Sequence, residues 1–492
     1  MKLIRSFAVA AILAAQIGLS AAQDQEIDVK ALLRRIEELE QKVRVLEGSR
    51  KAVAEENTAK AQPVEELEQK VKILERNREL ETEAAAEKSR QTARVAIDAN
   101  GLNVSSADTN FVFKLRGGFQ VDGRFYPGDS PAKDTFLLRR VRPIMEGTVF
   151  SKFDYRLMLD FASGVSSSTF NNGNVLDAYI NYRFLPELQL QVGKFKEPVG
   201  LERLQSWNNL LFIERGLPTY LVPNRDTGIQ LQGDVGEGLV QYSVGVFNGT
   251  SDGGSSDFDV DSDKDAAARL FAQPFKRSGI DALKGFGLGV SGTYGQQKGA
   301  LRNYSTLGQQ QFFTWYTGAG TNDATRNVTA DGTLWRVSPQ GYYYWGPFGV
   351  FGEYVIASHE LSRAAGGPPT RATFRNTAWQ VAASWFLTGE ENSYGRVQPR
   401  RNFNPANGGW GAWEIVARVG ELDIDDDVFP LYANPAQSAS RVFSWGVGMN
   451  WRLNRNIKLS LNYEHTDIEG AAGNAAPFEE NHLIFTRAQF AF

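Results

Sequence analysis

Basic residues at strand-like spacing are the side chains of this sequence best placed to do chemistry. Arg140 and Arg142 stand two apart, and Arg156 and Arg183 lie in segments with the same alternation. Residues i and i+2 of an extended chain share a face, so these guanidiniums are expected to form an inward basic column together with Glu146. The stretch 193–223 loses the alternation and carries Lys194, Lys196, Arg203 and Arg215, which suits a loop that narrows a passage. A guanidinium grips an oxyanion through two parallel N–H···O bonds, whereas an ammonium acts as a point charge. A ring of arginines in a narrow water-filled passage attracts anions and raises the barrier for cations. From Phe111 onward 26 Arg and 10 Lys face 38 Asp and Glu, so there is no net positive field. Glu146, Asp160 and Asp177 are at hand as partners, the ordinary fate of close opposite charges. These residues give the expectation of an anion preference, without singling out phosphate.

Other chemistries are weaker. Gly287-Leu-Gly-Val-Ser-Gly292 spells a dinucleotide pattern, but it lies in a glycine- and aromatic-rich strand with no amphipathic helix after it. Gly249-Thr-Ser-Asp-Gly253 resembles a nucleophile elbow, yet a polar loop follows where a helix is needed. His359, His465 and His482 are too scattered to suggest a base for it or a metal site. Asp257, Asp259, Asp261, Asp263 and Asp265 alternate, but the glycine and closing glutamate of a calcium loop are missing. With Asp423, Asp425, Asp426 and Asp427 they read as hydrated loops. The absence of cysteine removes thiolate metal sites, cysteine nucleophiles and disulfides. A formal charge of -4 gives no reason to expect nucleic acid as a partner. No catalytic residue, resident metal or cofactor is expected.

The elements that must carry the basic residues are strands. In residues 153–161, Tyr155, Leu157, Leu159 and Phe161 share one face while Asp154, Arg156 and Asp160 share the other. Residues 176–184, 240–247 and 457–464 alternate in the same way. Apolar-out, polar-in strands with aromatics near their ends fit a barrel with lipid outside and water inside. The last strand, 482–492, ends the sequence on Phe492. Because hydrocarbon cannot satisfy backbone groups, spanning strands must close on themselves. At about 10 residues per strand plus connections, 382 residues from Phe111 suit roughly 16 to 18 strands.

Residues 1–22 have the make-up of a signal peptide: Lys2 and Arg5, an apolar core, then Ser20-Ala21-Ala22. Residues 23–95 read as an α-helical coiled coil. Val29, Leu32, Ile36, Leu39, Val43 and Leu46, then Val64, Leu67, Val71 and Leu74, fall at alternating spacings of three and four. The segment 36–43 is nearly repeated at 64–71, an offset of four heptads that keeps the register.

The stretch 115–231 resembles the phosphate-selective porin O and P family. The segments that carry the likeness include Arg116-Gly-Gly-Phe-Gln-Val-Asp-Gly-Arg-Phe-Tyr126, Phe136-Leu-Leu-Arg-Arg-Val-Arg142, Asp154-Tyr-Arg-Leu-Met-Leu-Asp-Phe161, Val192-Gly-Lys-Phe-Lys-Glu-Pro198, Glu214-Arg-Gly-Leu-Pro218 and Asn224-Arg-Asp-Thr-Gly228. The resemblance implies a trimeric barrel of 16 strands, inserted loops that narrow the pore, and lumenal basic residues for phosphate or related anions, with Arg225 among them. The expectation is thus an all-β, transmembrane antiparallel barrel at 96–492, preceded by the coiled coil. It would be an outer-membrane porin that lets small anions diffuse passively and touches outer-membrane lipid. A general unselective porin, or a tether acting on peptidoglycan or a periplasmic partner through the coiled coil, are the competing readings.

Overall fold

The computed structural model describes residues 34, 37, 38, 41–45, 69–83 and 92–492 other than 129–131, 163–173, 260, 317–326, 365–368, 475 and 477–480. The signal-peptide reading lies outside the described residues, as does most of the heptad seam. The described parts of 34–45 and 69–83 are helical. Residues 1–89 and 90–492 are separate units.

The second unit opens with the hairpin β1 (Arg94–Asp98) and β2 (Gly101–Ser105). Sixteen barrel strands follow. They are β3 (Val112–Phe125), β4 (Thr135–Val149), β5 (Phe153–Asp160), β6 (Asn174–Leu185), β7 (Leu188–Lys196), β8 (Arg225–Val235), β9 (Val240–Phe247), β10 (Asp265–Ala272) and β11 (Phe286–Gly299). A small inner hairpin, β12 (Tyr304–Ser305) and β13 (Gln311–Phe313), precedes β14 (Asn327–Trp345), β15 (Phe348–Ala364), β16 (Thr370–Phe386), β17 (Ala412–Asp423), β18 (Ala439–Arg452), β19 (Ile457–Gly470) and β20 (Asn481–Ala491). Successive barrel strands pair antiparallel, and β20 closes the ring on β3 through Ala491↔Gly118 to Ile484↔Phe125. The part of β3 beyond that seam pairs with β2, Leu102↔Leu115 to Ser105↔Val112. No edge of β3 is left to pair with another chain.

Phe492 exchanges both backbone hydrogen bonds with Gly117, at 3.1 and 2.9 Å. Gly101, at φ +95°, lies where a Cβ would stand 2.8 Å from the Phe492 ring and 2.3 Å from the Leu115 carbonyl. A side chain there would lift the hairpin off the closing seam. Outward residues such as Ile180, Ile229, Val244, Val246 and Ile415 are exposed, as lipid-facing residues must be in the isolated chain. At the end bearing the short turns 150–152, 186–187, 346–347 and 453–456, aromatics gather on the outside: Phe153 with Tyr182 at 4.6 Å, and Trp413 stacked on Trp451 at 4.7 Å. Amphipathic rings favour that boundary between hydrocarbon and water.

The interior is only partly open. Segments from the long-loop end fold inward and bury Val199, Leu217, Phe312, Phe313, Trp315, Val428 and Tyr432 against inward residues Phe195, Phe247, Val355, Phe374 and Leu422. From the other end, 387–411 rises into the barrel. Tyr394 donates to the Leu201 carbonyl at 2.6 Å and accepts on its own carbonyl from Gln205 at 2.9 Å. Trp315→Ala removes a fully buried ring from the inner cluster and is expected to cost about 3–5 kcal/mol. It should lower the temperature at which the barrel loses its folded electrophoretic mobility, with no change in strand content of the folded form.

Candidate functional site

The segment 197–224 between β7 and β8 positions the site. Pro198, Pro218 and Pro223 cannot donate to a ladder, so the strand ends and the chain turns inward. It then forms a helical turn, Leu201–Leu204, and a 3-10 turn, Leu217–Tyr220, with Pro218 in its first turn. The far wall of the barrel holds the segment by its backbone. Asn450 donates to the Leu211 carbonyl at 2.9 Å, Lys458 to Leu210 at 2.9 Å and Gln489 to Asn208 at 3.0 Å, while Asn462 accepts from the Ile213 N–H at 2.9 Å. Near β7, Glu353 accepts from the Leu201 N–H at 2.6 Å and Glu202 from the Gly216 N–H at 2.7 Å. The segment therefore bridges the lumen and leaves a passage beside β4–β10.

Glu214 is the charge at the centre of this bridge. Arg139 meets it at 2.6 Å, Arg487 at 3.2 Å, Arg140 at 3.3 Å and Arg124 at 4.0 Å. Burial would raise the Glu214 carboxyl, but Arg139, Arg140 and Arg487 hold it well below the usual carboxylate range. Arg487 also binds Asp122 through both nitrogens, at 2.6 and 2.7 Å. Around it run further pairs: Arg142 with Asp160 at 2.7 Å, Arg156 with Glu146 at 2.7 Å and Asp177 at 3.2 Å, and Arg225 with Asp177 at 2.8 Å. The pairing of Arg142 and Arg156 with the carboxylates anticipated from sequence is thus present.

A cavity of about 700 Å³ lies between the bridge and this wall. Of the residues singled out from sequence, Arg140, Arg142, Arg156, Lys196, Arg203, Arg215 and Arg225 line it together. Arg183 does not; it sits toward the short-turn end, paired with Asp154 at 2.9 Å. Nor does Lys194, which pairs with Asp257 of the next long loop. Gly193 to Lys196 prove to be strand, not loop, because β7 keeps its register with β8 up to Lys196↔Arg225. The inward segment begins only at 197.

Three further arginines of the lining escaped the alternation argument. Arg139 faces inward beside Arg140 because a register shift between Gln120 and Val121 places a β-bulge in β4; two adjacent basic residues in a strand were the available signal. Arg269 is inward by plain alternation with the buried Ala267 and Phe271. Arg302 lies in a long loop, where no period speaks. Trp207, whose ring lies 5.6 Å under the Arg142 guanidinium, carries no sequence pattern, and Glu214 is marked only as the first residue of a segment that carries the family likeness.

The electrostatic balance of the lining departs from that of the chain. Ten basic side chains line the cavity against three acidic ones, Asp177, Glu214 and Asp252. Among the described residues, five of the ten make their short contacts to neutral oxygens. Lys196 donates to the carbonyls of Arg203, Leu204 and Gln205 at 2.7–3.2 Å, and Arg215 to those of Glu202 and Gln205 at 3.0 and 2.8 Å. Arg203 donates to the Thr219 carbonyl, Arg302 to that of Gly253 at 3.1 Å and Arg269 to the Gln340 amide oxygen at 3.3 Å. Their charge is fixed in place without being neutralised, which a wet passage can use to hold an anion briefly.

The model of the family described as phosphate-selective porin O and P matches residues 113–492. Porin O of Pseudomonas aeruginosa is 23% identical over 425 residues, 80% of this chain and 91% of that protein. Among solved structures, the outer membrane channel DcaP of Acinetobacter baumannii is 13% identical, with 78% of this chain and 98% of that one covered and a TM-score of 0.49. An anion-selective porin from Comamonas acidovorans is 12% identical, with 77% and 99% covered and a TM-score of 0.46.

Removing the central charge should release the bridge. Glu214→Gln leaves its buried arginines without their carboxylate and is expected to destabilise the docked segment by about 3–5 kcal/mol. The depressed carboxyl fixes the sign of the pH effect: its contribution is complete above the unfolded value near ~4.3 and is lost as pH falls through the folded value. The native channel should keep one conductance level from pH 7 to 5 and gain larger, noisier openings only in stronger acid, whereas Glu214→Gln shows them at pH 7.

Proposed function

The chain belongs to the phosphate-selective porin O and P family, and from that premise we propose that this outer-membrane porin passes small oxyanions, phosphate or a close relative, in preference to cations. The observation that carries the reading is the excess of ten basic over three acidic side chains around the cavity. An anion entering such a passage exchanges part of its hydration for guanidinium N–H donors. A cation meets fixed charge of its own sign in a confined space. Arg140, Arg142, Arg156 and Arg225 are shared with carboxylates and set the field. Lys196, Arg203, Arg215, Arg269 and Arg302 are the side chains best disposed to touch the solute. Several weak contacts in succession suit transport, since a solute held tightly at one point would not leave. Arg183 and Lys194 act in this reading only as charges toward the two ends of the path.

The same proposal includes a homotrimer, which the family resemblance implies, and a periplasmic helical extension expected over 23–95. The support for the extension is the heptad spacing of Val64, Leu67, Val71 and Leu74, and it stops short of Arg94 and Val95, which already belong to β1. Movement is passive and follows the solute gradient.

The test is phosphate titrated against the chloride current of the purified channel in a planar bilayer. Block should be saturable. Arg269 and Arg302 each lean lightly on the fold, so Arg269→Gln with Arg302→Gln is expected to raise the half-blocking concentration about 10-fold, the loss of roughly one charge-assisted hydrogen bond. An unchanged block in that variant contradicts the assignment.

A further inference from the structure

On the outside of the barrel, away from the pore, the β19–β20 hairpin brings together two histidines that stand 17 residues apart in sequence. His465 and His482 are directly opposed in the register. Glu464 and Thr466 beside them are buried toward the lumen, so His465, Tyr463 and Asp467 belong to the outer face. The pair lies near the long-loop end: β19 runs on only to Gly470, and β20 begins at Asn481. Scattered in the sequence, His465 and His482 are adjacent across this hairpin, while His359 lies on β15.

Their Nδ1 atoms are 3.3 Å apart. His465 Nε2 is 2.9 Å from the Asp467 carboxylate, which can only accept, so Nε2 carries the hydrogen and Nδ1 presents a lone pair to His482. The Tyr463 hydroxyl lies 2.8 Å from His482 Nδ1, close enough to share in whatever that nitrogen binds. With its hydrogen on Nδ1, His482 donates to the His465 lone pair across this gap; with the hydrogen on Nε2, the two Nδ1 lone pairs face one another, and a cation can take the place of the shared proton. Two ligands at ~2.0–2.1 Å on a tetrahedral zinc ion are held about 3.3–3.4 Å apart, which is the spacing found. Directly opposed antiparallel residues keep that spacing rigidly. The Asp467 contact on the far ring nitrogen is the carboxylate–histidine relay that orients a metal-binding imidazole. Asp467 is about half exposed, so the site opens to water at its upper side.

We propose that His465 and His482 form a site for a first-row transition-metal cation of the zinc type, with Asp467 as a positioning residue and water or the Tyr463 oxygen completing the coordination. Imidazole ligands favour zinc, copper or nickel over magnesium and calcium. The hairpin would then be clamped on its outer face by an ion independent of the solute in the pore.

The experiment is a titration of the full-length, tag-free protein in detergent with zinc chloride, read by competition with a chromogenic chelator. Millimolar magnesium is present to occupy the acidic loops. One zinc ion per chain is expected. Binding should be lost in His465→Gln and in His482→Gln, and weakened about 10- to 100-fold in Asp467→Asn. X-ray absorption of the zinc-loaded native protein should show two imidazole nitrogens at ~2.0 Å. Absence of stoichiometric binding, binding that survives both histidine substitutions, or a purely oxygen shell overturns the proposal.

Discussion

The pore owes its form to the way 197–224 is held across the lumen. A segment of backbone inside a barrel exposes N–H and C=O groups that need partners, and buried groups left unpaired each cost on the order of 1–3 kcal/mol. Here the far wall supplies them from side chains: Asn450, Asn462, Lys458 and Gln489. Glu214 then locks the crossing electrostatically among Arg139, Arg140 and Arg487. The wall and the bridge depend on one another, because the arginines would be a stack of like charges without Glu214, and Glu214 would be a buried lone carboxylate without them.

From that arrangement follows the sorting of charge. The chain has slightly more acidic than basic residues overall, so a uniform distribution would give an indifferent pore. Instead many of the carboxylates lie in loops at the long-loop end, such as Asp257 and Asp263, while arginines concentrate along β4, β5, β8 and β10 and on the bridge. Carbonyl oxygens of the bridge do what carboxylates do elsewhere: they fix Lys196 and Arg215 in place. A carbonyl orients a cation without cancelling its charge. The lining keeps ten basic against three acidic side chains although its cations are anchored.

The barrel was legible in the sequence because the bilayer imposes a period of two on any spanning strand, as 153–161 and 457–464 display plainly. Closure through the terminal strand was legible for the same reason. Of the site, the inward placing of Arg140, Arg142 and Arg156 and their carboxylate partners could be read from that period. Arg139 could not, since a bulge cancels the alternation locally. The bridge hid for a different reason: its aperiodic residues are specified by contacts with strands more than 200 positions away, as in Asn450 with Leu211. The boundary at 193 was drawn too early, because glycine at 193 reads as the end of a strand although β7 continues through it. His465 and His482 became neighbours only through hairpin register, which their separation in the chain conceals.

The measurement that bears most directly on a pore of positive lining is the zero-current potential of the native channel across a tenfold potassium chloride gradient. A potential of the sign carried by chloride, shrinking as ionic strength rises and charges are screened, is the result that follows from ten basic side chains facing three acidic ones. A potential of the opposite sign, or none, would contradict the claim that this lining governs what passes.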